Sequence, residues 1–317
     1  MKRLSYYLLY GLTYMLSLLH LRVLYVLADG CYLLLYYIIR YRRKVVRKNL
    51  TSSFPEKSEA ELRSIEHRFY RWLCDYAVET IKLLSISDKK LLRRLEFRGD
   101  EAFDRIFDEG RDCAAMMGHY CNWEWFSAIG LTFRRHPEAV AGLIYHPLYN
   151  DVFDRLFIDI RSAHGGTCIP KKDILRHLVA CRREGLRNLF GYISDQSPRW
   201  KDIHLFLPFL NHDTPVFTGG ERIMRKMDNA VFYMDVERPR RGYYTCTVHL
   251  VSEHAAQEPE HAITTRFFQM LETTIRREPA YYLWTHNRWK RTREEFDQKY
   301  KLVNGRTIPK EQGVYGS

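Results

Sequence analysis

The first forty residues place the strongest constraint on this chain. Between Leu4 and Ile39 only Arg22 and Asp29 are charged, and leucine and tyrosine dominate. The uncharged run from Leu4 to Leu21 lies at the lower edge of the length that spans a bilayer core as a helix. Val23 to Ile39 continues the apolar character but carries Asp29, and a carboxylate at mid-membrane depth is costly. Tyr6, Tyr7, Tyr10, Tyr14, Tyr25, Tyr32, Tyr36 and Tyr37 suit the interfacial zone better than the hydrocarbon centre. A cleaved signal peptide would be followed by a small-x-small site; none follows, and the apolar character resumes after Arg22. The segment reads as a retained membrane anchor over residues 1–40, followed by a second unit over residues 41–317. Crossing, re-entrant and interfacial placements all remain open at this stage.

Six positive charges follow at once in Arg40-Tyr-Arg-Arg-Lys-Val-Val-Arg-Lys48. A basic run beside a lipid-seeking segment favours the cytoplasmic side and anionic headgroups. The whole chain carries 50 Lys+Arg against 38 Asp+Glu, a formal charge of +12, which points to phospholipid surfaces, phosphorylated ligands, acidic proteins or nucleic acid. No RNA- or DNA-binding motif of the usual kinds is present. The cysteines are scattered without a CxxC pair, which argues against a disulfide scaffold or zinc module and for a reducing compartment.

Beyond residue 57 the pattern turns to α/β. Ser58 and Glu61 form a capping box, and Leu62, Ile65, Phe69, Trp72 and Tyr76 recur at helical spacing, which predicts a core-facing helix. Short apolar runs at Cys113–Gly118, Ala139–Tyr145 and Asn188–Ile193 predict buried strands, with helices expected over 122–132, 147–161 and 174–183. A short helix over 218–226, strands at 230–237 and 243–250, and an amphipathic helix over 258–277 complete the alternation. The expected body is a mixed or mostly parallel sheet flanked by helices.

Chemistry concentrates in Met117-Gly-His-Tyr-Cys-Asn-Trp-Glu-Trp125, which leaves a strand, turns, and enters a helix with Asn122 as its expected N-cap. On a continuous helix His119 and Glu124 would stand about 140° apart. With His119 in the turn, its imidazole can fold back over the Glu124 carboxylate, which would fix one tautomer and leave the other nitrogen free to accept a proton. Such a base suits abstraction of a hydroxyl proton during acyl transfer. Asp195 sits at a strand end, where α/β sites form. Arg161 ends a helix and is placed to bind a phosphate or to position Glu124. Arg288 and Lys290, among aromatic residues, either grip phosphate or pack over the sheet edge. Cys121 carries no mark of a thiolate nucleophile, and His136 and His146 are expected to be structural. No Walker loop, GxGxxG, HExxH or Cys/His cluster calls for a nucleotide or metal.

The chain resembles the late lipid A acyltransferases, the lauroyl/myristoyl transferase family, over nearly its whole length. The resemblance rests on Arg42-Arg-Lys-Val-Val-Arg-Lys-Asn-Leu50, Ser53-Phe-Pro-Glu-Lys57, the Gly-His-x-x-Asn-Trp-Glu box, and Ser194-Asp-Gln-Ser197 after a strand. Phe217-Thr-Gly-Gly-Glu-Arg-Ile223 is similar to the family's Phe-Gly helix start, and Tyr282-Leu-Trp-Thr-His-Asn-Arg-Trp-Lys290 to its carboxyl-terminal Tyr-x-Trp-x-His-x-Arg box.

It implies a glycerolphosphate acyltransferase-like fold, His119 as general base and Glu124 as its partner. Asn122, Arg161, Asp195, Gln196 and Arg288 would support the site or bind substrate. The donor would be an acyl carrier protein thioester, or a coenzyme A thioester, and the acceptor a hydroxyl of an anionic lipid A precursor. No metal or other cofactor and no nucleic acid is implied. The location would be the bacterial inner membrane, with the catalytic unit facing the cytoplasm. Acyl length, the position acylated and oligomeric state stay open. Three other readings remain: the same chemistry on another glycolipid, amino-acid lipid or phospholipid; a membrane-tethered basic adaptor; and a thioesterase-like hydrolase.

Overall fold

The computed structural model describes residues 2–303 and 305–310. Its amino-terminal part forms α1 (Lys2–Leu18) and α2 (Leu21–Leu33), the latter running on as a π-helical turn over Leu34–Ile38. The helices part at His20, which takes extended geometry and accepts the Arg22 N–H on its ring nitrogen at 3.2 Å, an N-cap. Leu21–Ile38 is long and apolar enough to cross a membrane, and only 28% of it is buried. Both helices are nevertheless tied to the body by polar contacts. Lys82 Nζ donates to the carbonyls of Ser17 at 2.5 Å and Leu19 at 3.0 Å. The Tyr25 hydroxyl donates to Glu79 at 2.8 Å, and Asp29, the acid that looked costly in an apolar segment, pairs with Arg241 at 2.7 Å.

Helix α3 (Arg43–Ser53) carries most of the basic run, and α4 (Glu59–Lys82) begins with the expected capping box at Ser58 and Glu61. The chain continues through α5 (Asp88–Leu92), β1 (Leu95–Arg98), α6 (Glu101–Asp108), β2 (Cys113–Met117), β3 (Val140–Tyr145) and α7 (Asp151–Ser162). Next come β4 (Thr167–Pro170), α8 (Ile174–Arg183), β5 (Asn188–Ile193), and a hairpin of β6 (Leu205–Phe209) and β7 (His212–Val216). After them lie α9 (Gly219–Met227), β8 (Ala230–Arg240), β9 (Tyr243–Ser252), α10 (Ala262–Arg277), α11 (Arg293–Lys299), β10 (Tyr300–Val303) and β11 (Arg306–Pro309).

Seven strands form one sheet in the order β1-β9-β8-β2-β5-β3-β4, parallel except where β9 runs against β8. This is the α/β architecture expected. Every residue of β2 is buried, which is how a strand covered on both faces reads in sequence. On one face the stripe Ile263, Phe267, Leu271 and Ile275 of α10 is fully buried and packs over β8 and β2. From β2 the chain moves to one side, and after β5 it returns to β8 on the other. Such a reversal opens a crevice beyond the carboxyl ends of the strands, where ligands bind in folds of this kind.

The helix expected from 258 begins at Ala262, and two other expected helices differ in detail. Residues 122–132 begin as an irregular turn and become a 3-10 helix only over Trp125–Thr132. The reason is Asn122, whose side chain donates to the buried Glu79 carboxylate at 2.8 Å rather than capping a helix. The helix expected from 147 starts at Asp151, because the Asn150 side chain accepts the N–H groups of Val152 and Phe153.

Candidate active site

The site is built on two loops brought together by strand pairing. Met117 lies opposite Ile193 at the ends of β2 and β5, so the turns that follow, 118–124 and 194–197, emerge side by side. Gly118 starts the first turn at a point where a Cβ would come within 2.6 Å of the Leu271 side chain on α10. A third segment closes over both. Leu283 N–H donates to the His119 carbonyl at 3.1 Å, and Cys121 N–H to the Tyr281 carbonyl at 2.9 Å. Asn49 of α3 holds this segment by donating to the Trp284 and His286 carbonyls, both at 2.9 Å. His286 accepts the Ser197 N–H on Nε2 at 3.1 Å, which ties the second turn to the third segment.

The partner of His119 is Asp195, 76 residues later, with Nδ1 to Oδ1 at 2.6 Å and the backbone N–H of His119 donating to Oδ2 at 2.9 Å. This corrects the expectation that Glu124 steers the imidazole. Burial pushes the Asp195 carboxyl up, but the His119 charge, these two hydrogen bonds and the Arg288 charge outweigh it, and the group sits below its ordinary value. An ionised Asp195 accepts Nδ1–H and so leaves Nε2 as the proton acceptor. Among the described residues Nε2 meets the Gln196 amide, at 3.2 Å, and the ring keeps 17% of its surface exposed while Asp195 keeps 1%. Trp123 stands edge-on to the imidazole with ring centres 5.0 Å apart. The imidazole is therefore partly exposed and its partner is buried.

Glu124 is occupied elsewhere. Arg161 clamps it through two hydrogen bonds, 2.6 and 2.7 Å, and the Tyr76 hydroxyl donates to it at 3.2 Å. Burial would push the Arg161 guanidinium down, yet the hydrogen bond and charge of Glu124 hold it above its ordinary value. Of the two roles read for Arg161, positioning Glu124 is the one its geometry performs. Tyr76 stacks in turn on Trp123, ring centres 4.3 Å apart, so the clamp reaches the imidazole through one aromatic pair. Gly166 permits the clamp: a Cβ there would meet the Arg161 carbonyl at 2.6 Å and the Ser127 carbonyl at 2.7 Å.

Arg288 is 1% exposed and donates to the Pro215 carbonyl at 2.8 Å, while its Nε and Nη1 have no hydrogen-bond partner among the described residues. Burial pushes its guanidinium down, against the opposing pull of Tyr282 and Asp195, and its charge in return favours an ionised Asp195. Cys121 is fully buried, and burial pushes its thiol well above the ordinary range, the opposite of an activated nucleophile. Among the described residues no group of three or more His, Cys, Asp or Glu is placed to hold a metal ion.

Several supporting residues escaped the sequence reading. Glu79 accepts from Tyr25, Asn122 and Tyr244 at 2.8, 2.8 and 2.6 Å, and Tyr76 reaches Glu124. A signal was available, because Glu79 occupies the next step of the apolar stripe that ends at Tyr76, where a carboxylate must find buried partners. His286 lay inside the carboxyl-terminal box without a role.

Residues 1–291 match the family of bacterial lipid A biosynthesis acyltransferases. The chain is 23% identical to the lipid A biosynthesis lauroyltransferase of Escherichia coli, over 88% of this chain and 89% of the relative. It is 24% identical to a lipid A biosynthesis acyltransferase of Haemophilus influenzae, over 80% and 79% of the two chains. Its identity to the lipid A biosynthesis myristoyltransferase of Escherichia coli is 19%, over 74% and 71%. With an imidazole held by a buried carboxylate at the end of the central strand, this chain belongs to the bacterial lipid A biosynthesis acyltransferase family.

Proposed function

We propose that this family member is a membrane-associated O-acyltransferase that moves a fatty acyl group from acyl carrier protein to a hydroxyl of a lipid A precursor. It would work at the bacterial inner membrane, facing the cytoplasm. The observation that carries the reading is the His119–Asp195 pair, with Nε2 beside the Gln196 amide on a partly exposed ring at the end of β2, in a chain whose residues 1–291 match the family. The names of the relatives support lipid A as the acceptor class. A formal charge of +12 suits an acidic carrier and an anionic lipid.

His119 Nε2 takes the acceptor hydroxyl proton as the oxygen attacks the thioester carbonyl. Asp195 holds the tautomer and stabilises the imidazolium that forms. As the tetrahedral intermediate collapses, the carbon–oxygen bond is kept, the carbon–sulfur bond breaks, and the imidazolium returns its proton to the leaving thiolate. Glu124, Arg161 and Tyr76 hold the wall on which Trp123 and the imidazole rest.

The test incubates purified membranes with acyl carrier protein thioester and a lipid A precursor, read by mass spectrometry. One acyl increment is expected, lost by a factor on the order of 10²–10⁴ in His119→Ala, the scale of a missing general base. Full activity in His119→Ala overturns the reading. Transfer to another lipid only reassigns the acceptor, and free fatty acid without acceptor marks a hydrolase.

A further inference from the structure

The basic run gathers around one wide-open surface hollow. Arg40, Arg42, Arg43, Lys44, Arg47 and Lys48 line a single open cavity of about 810 Å³ whose only acidic wall residue is Glu66. Arg43 and Arg47 converge on that buried carboxylate at 3.3 and 2.5 Å. Arg42 donates to the Thr285 carbonyl at 2.8 Å. Arg40, Lys44 and Lys48 stay exposed, and among the described residues neither lysine ammonium makes a hydrogen bond or ion pair. Arg40 and Arg42 both take left-handed backbone conformations, φ 56° and 52°, which cost side-chain-bearing residues energy and gather at ligand sites.

The cavity opens beside the exposed apolar surface. Tyr37, Ile38 and Ile39, at 51%, 75% and 56% exposure, lead straight into Arg40. With Val26 70% exposed and Leu33 55%, this surface suits the acyl region of one leaflet. The body ties at Ser17, Tyr25 and Asp29 keep the helices alongside the protein. The cavity then lies at headgroup depth. Its lining connects to the candidate site, because Arg42 and, from α3, Asn49 hold the Thr285–His286 segment, and His286 holds Ser197 beside Gln196.

We propose that this cavity binds the phosphate of a lipid headgroup, with the apolar rim in the leaflet and Lys44 and Lys48 as its uncommitted cations. The inference deepens the lipid-acceptor reading, on which it rests for the choice of ligand. A carrier protein fits the place less well, since it would have to share the rim with the bilayer.

The experiment uses full-length protein and vesicle co-sedimentation, which needs no acyl transfer. Failure here therefore leaves the catalytic reading standing, and failure of catalysis leaves this result standing. Phosphatidylcholine vesicles doped with phosphatidic acid are compared with phosphatidylcholine alone. Lys44→Ala/Lys48→Ala should bind the neutral vesicles as before and the doped ones about thirtyfold more weakly than the parent, the scale of two lysines at an anionic surface. Both side chains are exposed, so an unchanged melting curve is expected and makes a folding explanation checkable. An undiminished response to phosphatidic acid overturns the proposal. So does binding of soluble glycerol phosphate as tight as that of phosphatidic acid in vesicles, which would make free phosphate the ligand. Loss of acyl carrier protein binding with the vesicle response intact would assign the cavity to the carrier and also overturn it.

Discussion

The turn after β2 and the turn after β5 each carry one buried carboxylate, and the two acids have opposite fates. Glu124 lies five residues from His119 yet spends its charge on Arg161 and Tyr76. Asp195 lies 76 residues away yet meets the imidazole twice, through its ring and its backbone. Sheet order explains the difference. Parallel neighbours deliver their carboxyl ends to one place, whereas a tight turn with Cys121 at φ 51° points its successive side chains apart. An acid neutralised by a two-pronged arginine has little field left for a histidine nearby; an acid whose direct hydrogen bonds go to the histidine ring and backbone keeps it, even with the Arg288 charge close by.

The sharpest way to break this comparison is Asp195→Asn, which keeps the shape but offers the imidazole the wrong partner. We expect kcat to fall by roughly 10³–10⁴ with the fold intact, on the scale seen when such an acid is replaced by its amide. Near-parental turnover in Asp195→Asn, with none in a folded Glu124→Gln, would reverse the two assignments.

The counterpart prediction concerns stability. Breaking a buried ion pair by removing one partner costs about 3–5 kcal/mol, so Glu124→Gln and Arg161→Met should each lower the urea midpoint strongly. The double variant should lose clearly less than the sum. Additive losses would show that the pair is not a unit.

Acid dependence separates the two turns more finely. Burial, helped by the charges of Arg288, His119 and Lys290 and opposed by Asp195, lowers His286 to about 4. The unfolded chain therefore binds more protons than the folded one between about pH 6.5 and 4. His286 thus contributes stability that is complete above that window and lost as pH falls through it. Its neutral Nε2 is also what accepts the Ser197 N–H. Unfolding curves should weaken from pH 7 to pH 4.5, and His286→Gln should flatten that slope. An unchanged slope would remove His286 from the account.

The smallest effect belongs to Cys121→Ala. The buried thiol has no chemical task here, so turnover should stay within a few-fold and the native protein should resist iodoacetamide at this position.

Much of the body could be read from periodicity. Strands at 113–117 and 188–193, the capping box of α4 and the buried stripe of α10 all match, because each is a local pattern with one physical solution. The short strands β1 and β4 and the β6–β7 hairpin went unread. Four or five residues hold too little pattern to register, and Pro208 and Pro215 disguise the hairpin. His119, Asp195 and Gln196 meet directly, Glu124 and Arg161 form a separate pair, and Asn122 and Arg288 are buried with bonds to Glu79 and the Pro215 carbonyl.

The residues alone determined the apolar and basic amino-terminal run, the alternation of strands and helices, and the presence of an imidazole at a strand end. Those features depend on neighbours in the chain. Which acid that imidazole meets, and whether six cations disperse or line one open cavity, depended on which strands lie side by side and where α3 docks. Long-range pairing sets those choices, because a carboxylate is drawn to the nearest unpaired charge in space, whatever its distance along the chain.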